Sequence, residues 1–496
     1  MSLFATGASG SNQTNDSSKL DFLNEGGTAE IRAFVNSNIT SSTVEMDRIV
    51  RYQLHWNFYS GKHWRMYNDT FLSFNYIKAF IDKIIRFTLG KEGFGLTVES
   101  ENGEEVPEDV EKAAEAYCNR IWRKNKKIPK QTEIFQMGSV TGDVWIHLQY
   151  KKDSLSKKLE LQIQTLDSRH CFPEFNEGDI DDVIGLTIRM PLGQNENKFK
   201  IFCTRYTSDT IETWYQKDTK PNKDAVKYGL STTENPYGFI PVVHMKNKAN
   251  SEGYFGTSDC SDILKLNKTY NELAQTLKGV IDYYVEPITV ITGGTVKQMT
   301  RGLGRMWSGL PAEANVFNLG LGEDLNGAMT FMQLIKTNMH EIGDMPENAL
   351  GKIQAISNTS AAALEITYQP MVQQADAKVA VYSEGLVTLH HMMIIMGKFV
   401  EPDDELLKII PDDFYDTYSV RPVFKYGLPD DEAQELQNAE TRLRLGIDTK
   451  KNIMNRLGMR NVPKVLKEVD AEKIADAKVT ATTDAIQGLN QQPQMP

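Results

Sequence analysis

Residues 235–284 read NPYGFIPVVHMKNKANSEGYFGTSDCSDILKLNKTYNELAQTLKGVIDYY. A Pro/Gly turn (Asn235, Pro236, Tyr237, Gly238) runs into an apolar strand and then into a patterned helix. From Asp259 the apolar positions Ile263, Leu266, Tyr270, Leu273, Leu277, Ile281 and Tyr284 recur at three- and four-residue steps, the spacing that gives a helix one buried stripe. Lys265, Lys268, Glu272, Gln275 and Lys278 take the other face. Ser258 and Asp259 can accept from the first free backbone N–H groups, Asp262 suits the positive helix end, and Pro287 stops the helix after Glu286. The expected rod is about 39 Å long at 1.5 Å per residue.

Working outward from that stretch, a second rod is expected over Glu323 to Ile342, with Leu325, Met329, Met332, Ile335, Met339 and Ile342 on one stripe, packed beside the first. Gly343 and Pro346 end it, and Glu347 to Thr359 reads as a loop. A third rod begins near Ser360 and carries Leu364, Tyr368, Met371, Ala375, Val379, Tyr382, Leu386, Leu389, Met393 and Met396, with a kink expected at Pro370. Adjacent His390 and His391 point about 100° apart on a helix, so packing is favoured over a metal site.

Upstream, Ser42 or Thr43 caps a helix carrying Ile49, Tyr52, Trp56 and Tyr59 and ending at Gly61. Two helices are expected from Pro107 to Gly142. The first turns Val110, Ala114, Tyr117 and Ile121 inward and ends in Arg123, Lys124, Lys126 and Lys127, cations that suit a helix C-terminus and that as a nucleic-acid patch are a weak signal. Short β runs follow at Val144–Tyr150, Leu159–Thr165, Val183–Met190 and Phe199–Arg205. Ile288 to Thr292 is a β-branched run before a Gly293-Gly294 turn, and Val316 to Leu319 reads as a returning strand. Tyr418 to Lys425 reads as a strand returning to the β-rich part, and helices resume at Pro429 and after Asp448 or Thr449.

The segments NPYGFIPVVHMKN and GYFGTSDCSDILKLNKTYNEL resemble the portal proteins of tailed bacteriophages. In that family an Asn-Pro-x-Gly turn, an Ile-Pro-Val strand and a Gly-x-Ser-Asp helix start precede a long stem helix containing an Asn, here Asn271. RYQLHWNFYSGKHW with Asn75-Tyr76-Ile77-Lys78 and Gly90, NTSAAALEITYQPM and GIDTKKNIMNRLG resemble further family segments. The resemblance implies an α+β subunit with long stem and kinked helices, a mixed α/β wing, a small α/β clip and a helical crown. Its regions are an N-terminal arm at 1–40, wing 41–256, first stem helix 257–286, clip 287–322, second stem helix 323–345, tunnel loop 346–359, long kinked helix 360–400, return to the wing 401–428, crown 429–479 and a disordered tail 480–496. It implies a dodecameric ring at one capsid vertex, assembled in the host cytoplasm, through which genome DNA is packaged and ejected. The implied partners are the large terminase, a head-to-tail adaptor, major capsid and scaffold proteins, and duplex DNA passing without sequence specificity. The tunnel loop would put Asn348, Lys352, Gln354, Ser357, Asn358 and Thr359 near DNA, and the clip would dock partners through Lys297, Arg301 and Arg305.

Composition sets bounds on these expectations. A chain of 496 residues exceeds one hydrophobic core, so several structural regions are expected. The net charge of −11 argues against tight non-specific duplex binding, because that affinity comes from Lys and Arg releasing counterions. Cys118, Cys171, Cys203 and Cys260 are too scattered for zinc and read as packed thiols of a reducing compartment. No secretory signal is read at the start, and the most apolar run, Leu386 to Val400, is shorter than the roughly 20 residues a bilayer requires. No cofactor or metal is expected, and no enzyme: phosphate-loop, His-Glu-x-x-His and Gly-x-Ser-x-Gly motifs are missing, and Gly302-x-Gly304 lacks the third glycine of a dinucleotide loop. Two other readings stay open, a metal-dependent nuclease using dispersed carboxylates and a cytosolic scaffold without a DNA channel.

Overall fold

The computed structural model describes residues 43–62, 72–103, 105–154, 157–192, 201–216, 227–248, 251, 253–285, 289–293, 313–318, 325–350, 361–427, 432–456, 462, 465–467 and 469. Residues 1–427 form one compact unit and 428–496 a second.

In the first unit, α1 (Thr43–Tyr59) precedes α2 (Tyr76–Leu89), whose Asn75 cap accepts from the Lys78 N–H and donates to the Tyr59 carbonyl. Gly90 ends α2 at φ 58, where a side chain would press into the Lys425 carbonyl. Strand β1 (Gly95–Ser100) is followed by α3 (Glu108–Lys124) and α4 (Lys127–Thr141). Then come β2 (Asp143–Lys152), β3 (Leu159–Leu166), β4 (Cys171–Asn176), β5 (Asp179–Pro191), β6 (Ile201–Thr207), β7 (Thr210–Gln216), β8 (Tyr228–Glu234) and β9 (Val242–Lys246). Strands β4 to β8 form an antiparallel five-stranded meander, and β3-β2-β9 a three-stranded sheet. The four β runs expected upstream are β2, β3, β5 and β6, each with shifted ends; β1, β4, β7 and β8 were not anticipated.

The first rod is α5 (Leu264–Val285), and it packs against α6 (Leu325–Ile342). Between them lies an antiparallel pair, β10 (Thr289–Thr292) with β11 (Asn315–Asn318). The third rod, α7 (Ala361–Val400), runs with Pro370 inside it and packs on β9, α2, α3 and β12 (Tyr418–Val423). Short helices α8 (Glu405–Ile409) and α9 (Phe414–Thr417) follow it. Strand β12 was expected to return to the β-rich part but joins neither large sheet; it pairs antiparallel with β1 alone. The residues Ile366–Val400 are long and apolar enough to cross a bilayer. That stretch nevertheless carries Asp376, Lys378, Glu384 and Lys398 and buries Met371, Ala375, Tyr382, Leu386, Leu389, Met393 and Met396 against the rest of the unit, which is the pattern of a core helix.

Two expected stripes need correction. On α5 the buried positions are Asn267, Asn271 and Ala274, whereas Ile281 is 48% exposed. On α6 Ile335 and Met339 are buried as expected, but the stripe residues Met329 and Ile342 are exposed by half or more, as are Phe331 and Leu334 off the stripe. All four cysteines are free and buried. In the second unit α10 (Glu432–Arg444) ends at Gly446, with φ 69, and Thr449 Oγ1 caps α11 (Lys450–Arg456) by accepting from the Asn452 N–H.

Candidate functional site: the root of the paired helices

The root of α5 is built where the C-terminus of α4 meets the GYFGTSD segment. The last carbonyls of a helix lack partners within the helix, and here the incoming loop supplies them. Ser258 Oγ donates to the carbonyls of Ser139 (3.0 Å) and Val140 (2.7 Å), and the Asp259 N–H donates to Ser139 at 3.0 Å. The loop passes so close to α4 that a side chain on Gly256 would press into the Gly142 carbonyl, so glycine is required. Gly142, at φ 97, is the other half of this approach. Ser258 also accepts from the Cys260 N–H, but the helix starts only at Leu264, so this bond closes a turn ahead of the helix and is not the expected helix cap.

Asp259 has a different task from the one its position suggested. Its side chain is 7% exposed, and its carboxylate lies 2.6 Å from Lys378 Nζ of α7, 3.3 Å from Lys248 Nζ and 3.1 Å from the Asn247 amide. Lys378 is only 2% exposed and donates also to Ser139 Oγ (3.0 Å) and Asn247 Oδ1 (2.5 Å), while the Tyr382 hydroxyl reaches Asn247 Oδ1 at 3.3 Å. Burial opposes charge on both members of the pair. For Asp259 the ammonium groups of Lys378 and Lys248 outweigh it and hold the carboxyl below its ordinary range; for Lys378 burial outweighs the attraction of Asp259 and lowers the ammonium. The expected apolar stripe on α7 named Val379; the buried position is its neighbour Lys378.

A second buried carboxylate stands one strand away. Asp143, the first residue of β2, accepts from the Tyr52 hydroxyl and from the Gly256 N–H (2.8 Å), with His244 Nε2 at 2.9 Å. His244 stacks between Trp145 and Tyr254, at ring separations of 4.2 and 4.7 Å. Burial first, then the charge of Asp143, raises the Tyr52 phenol well above its ordinary range. Asp143 and Asp259 therefore tie α1, α4, β9, the 256–259 loop and α7 together below α5.

Further along, α5 holds the chain ahead of α2 through two amides. Asn271 accepts from the Phe74 N–H at 2.7 Å and donates to the Phe74 carbonyl at 3.2 Å; Asn267 donates to the same carbonyl at 2.9 Å and accepts from the Ile77 N–H at 3.3 Å. On α6, His340 Nδ1 lies 2.8 Å from the Met345 carbonyl and Lys336 pairs with Glu347 at 3.3 Å.

At this junction the buried acids accept from several donors, and among the described residues no group of three or more His, Cys, Asp or Glu could hold a metal ion. Of the nine residues that the resemblance put at DNA or at partners, Asn348 is half-buried on a 3₁₀ turn, Glu347–Leu350. The other eight, Lys297, Arg301, Arg305, Lys352, Gln354, Ser357, Asn358 and Thr359, lie outside the described residues. The junction residues that sequence reasoning missed include Lys378, Asn247, Asp143 and His244. The signal for Lys378 was a lone lysine in phase with Met371, Ala375 and Tyr382, a position that demands a buried acid.

The family model for "Phage portal protein, SPP1 Gp6-like" matches residues 45–479. The chain belongs to this portal protein family. As a portal protein it is a structural, head-tail connector component of a phage virion. Among solved structures the portal chain is similar to the neck of a native GTA particle computed with C12 symmetry, at 11% identity and TM-score 0.41, over 77% of this chain and 89% of that one. It is also similar to the neck of an empty GTA particle computed with C6 symmetry, at 11% identity and TM-score 0.41, over 85% and 95%. No curated protein matches the portal chain.

Proposed function

We propose that copies of this chain close into a dodecameric ring at one capsid vertex and that genome DNA passes through its centre during packaging and ejection. The observation that carries the ring is the uncovered apolar surface of the paired helices: Ile281 on α5 and Met329, Phe331, Leu334 and Ile342 on α6. Each such side chain, already about half covered, gains roughly half of the 1.5–3 kcal/mol of full burial, and head-to-tail covering of one copy by the next closes a ring where the rotation permits. The count of twelve and the DNA passage rest on family membership. A net charge of −11 per copy suits a wall along which duplex slides without sticking.

Within this reading the ring has no catalysis of its own, and ATP hydrolysis belongs to the large terminase. Lys297, Arg301 and Arg305 dock the terminase and then the head-tail adaptor, while Asn348, Lys352, Gln354, Ser357, Asn358 and Thr359 meet DNA. Capsid and scaffold proteins surround the ring during assembly in the host cytoplasm.

Negative-stain microscopy of the full-length chain tests the architecture: about a dozen subunits around a central hole are expected, and a compact dimer at high concentration counts against the ring. Deleting 351–359 is expected to leave rings intact and reduce DNA-filled heads in an infection assay. Normal filled heads from that variant would remove the loop from the mechanism.

A further inference from the structure

The chain is acidic overall, yet residues 120–160 carry ten Lys and Arg against four Asp and Glu, a local formal charge of +6. The fold gathers part of this charge into one recess of about 420 Å³ between the α3–α4 turn and the outer face of β2 and β3. Its cations are Lys124, Lys126, Lys130 and Lys151. Between them stand Gln149 and Gln164, hydrogen-bonded to each other at 2.7 Å across the two strands, and Gln162.

This is an assembled surface. Strand alternation sends Leu148, Leu161 and Ile163 into the core and leaves Gln149, Lys151, Gln162 and Gln164 on the opposite face. The turn is pinned by Asn125, whose amide donates to the carbonyls of Ile121 and Leu161 and accepts from the Ile163 N–H. Lys126 sits in the left-handed region, at φ 58 and ψ 67, a conformation uncommon for a residue with a side chain. Lys124 pairs with Glu160 at 2.9 Å and Lys130 with Glu133 at 2.6 Å. Lys126 and Lys151 have no ion-pair partner among the described residues.

We propose that this recess holds the phosphate backbone of double-stranded DNA without reading its sequence. It goes beyond passage through a channel, because it uses the three-stranded sheet and the α3–α4 turn, elements distinct from the paired helices. Two features favour a duplex over an acidic protein segment. Protein docking sites depend on a few aromatic or Arg anchors that fill desolvated pockets, and the recess has neither; its one apolar lining residue is Ile163. Lysines are strongly hydrated point charges on flexible stems, which grip phosphates without fixed register. The acidity of the rest of the chain keeps the grip weak and salt-sensitive.

The test uses the full-length protein, a fluorescein-labelled duplex of about 30 base pairs, and anisotropy titrations between about 50 and 200 mM salt. The Lys126→Gln/Lys151→Gln variant changes two exposed side chains, and an unchanged Tm checks its fold. It is expected to weaken binding roughly tenfold at the low-salt end and to flatten the slope of log K against log salt by about 1.8, at about 0.9 for each phosphate no longer neutralised. An unaltered affinity and slope would overturn the proposal, showing that any duplex binding takes place elsewhere, including in a channel. Preferential binding of poly-L-glutamate, with no duplex binding at this recess, would overturn it in favour of an acidic protein partner.

Discussion

At the residue scale the most consequential contact is Lys378 with Asp259. A buried pair gains little over an apolar substitute, but removing one member strands the other charge, at a cost of about 3–5 kcal/mol. Lys378→Met is therefore expected to destabilise the chain, by less than that full cost because Lys248 stays 3.3 Å from the carboxylate, measured by urea denaturation followed by tryptophan fluorescence. Lys378→Met with Asp259→Asn is expected to cost less than the single lysine change, since the buried carboxylate charge is removed with the ammonium and the remaining cation, Lys248, is 36% exposed to water. Additive losses would show that the two groups act independently and that the 2.6 Å contact does not tie α7 to the root of α5. His390 illustrates the opposite solution. Trp122 Nε1 can only donate, so His390 Nε2, 3.0 Å away, must accept; the proton is then on Nδ1, 2.8 Å from the Val420 carbonyl. A charged imidazole would set two donors against each other, and burial already lowers His390 to about 4.

At the element scale, legibility in the sequence followed how local the cause was. The Asn235 turn and the Thr449 cap are each decided within a few residues, and each was readable, whereas Asn75 and Gly90 were marked only by the family resemblance. The turn even closes as expected: Asn235 accepts from the Tyr237 N–H, and Gly238 takes φ 72. The three long helices were readable from period alone, although the first starts at Leu264, five residues after the expected Asp259. What was not readable depends on distant partners. Strand β12 follows α9 but pairs with β1, over 300 residues earlier, a choice that no local pattern encodes. The apolar stripe of α5 was assigned to Leu273, Leu277 and Ile281, yet the side turned to the subunit carries Asn267 and Asn271, because Phe74 and Ile77 offer backbone groups that only amides can satisfy. Hydrophobic period shows that a helix has an apolar face and leaves open which molecule covers it. Here the face the period marked remains partly uncovered in one copy, as the proposed ring would require.

At the scale of the whole molecule, buried imidazoles couple stability to pH. Burial lowers His55, His147 and His390 to about 4 each, so all three are neutral in the folded chain at pH 7. In the unfolded chain they take up protons below about 6.5. Between roughly pH 6.5 and 4 the unfolded state thus binds more protons than the folded one, and acidification favours unfolding. Each imidazole contributes up to about 1.4 kcal/mol per pH unit inside that window, so three contribute roughly 4 kcal/mol per unit near its middle and almost nothing above pH 7.5. The depressed carboxyl of Asp259 acts in the same direction at lower pH: its stabilisation is complete above the unfolded carboxyl value of about 4 and is lost as pH falls through the folded one. Differential scanning fluorimetry is expected to give a flat Tm from pH 8 to 7 and a steep fall from pH 6 to 5. A Tm unchanged down to pH 5 would mean that these imidazoles accept protons without unfolding, and that the core around Trp122, His390 and Val420 opens to water while the subunit stays intact.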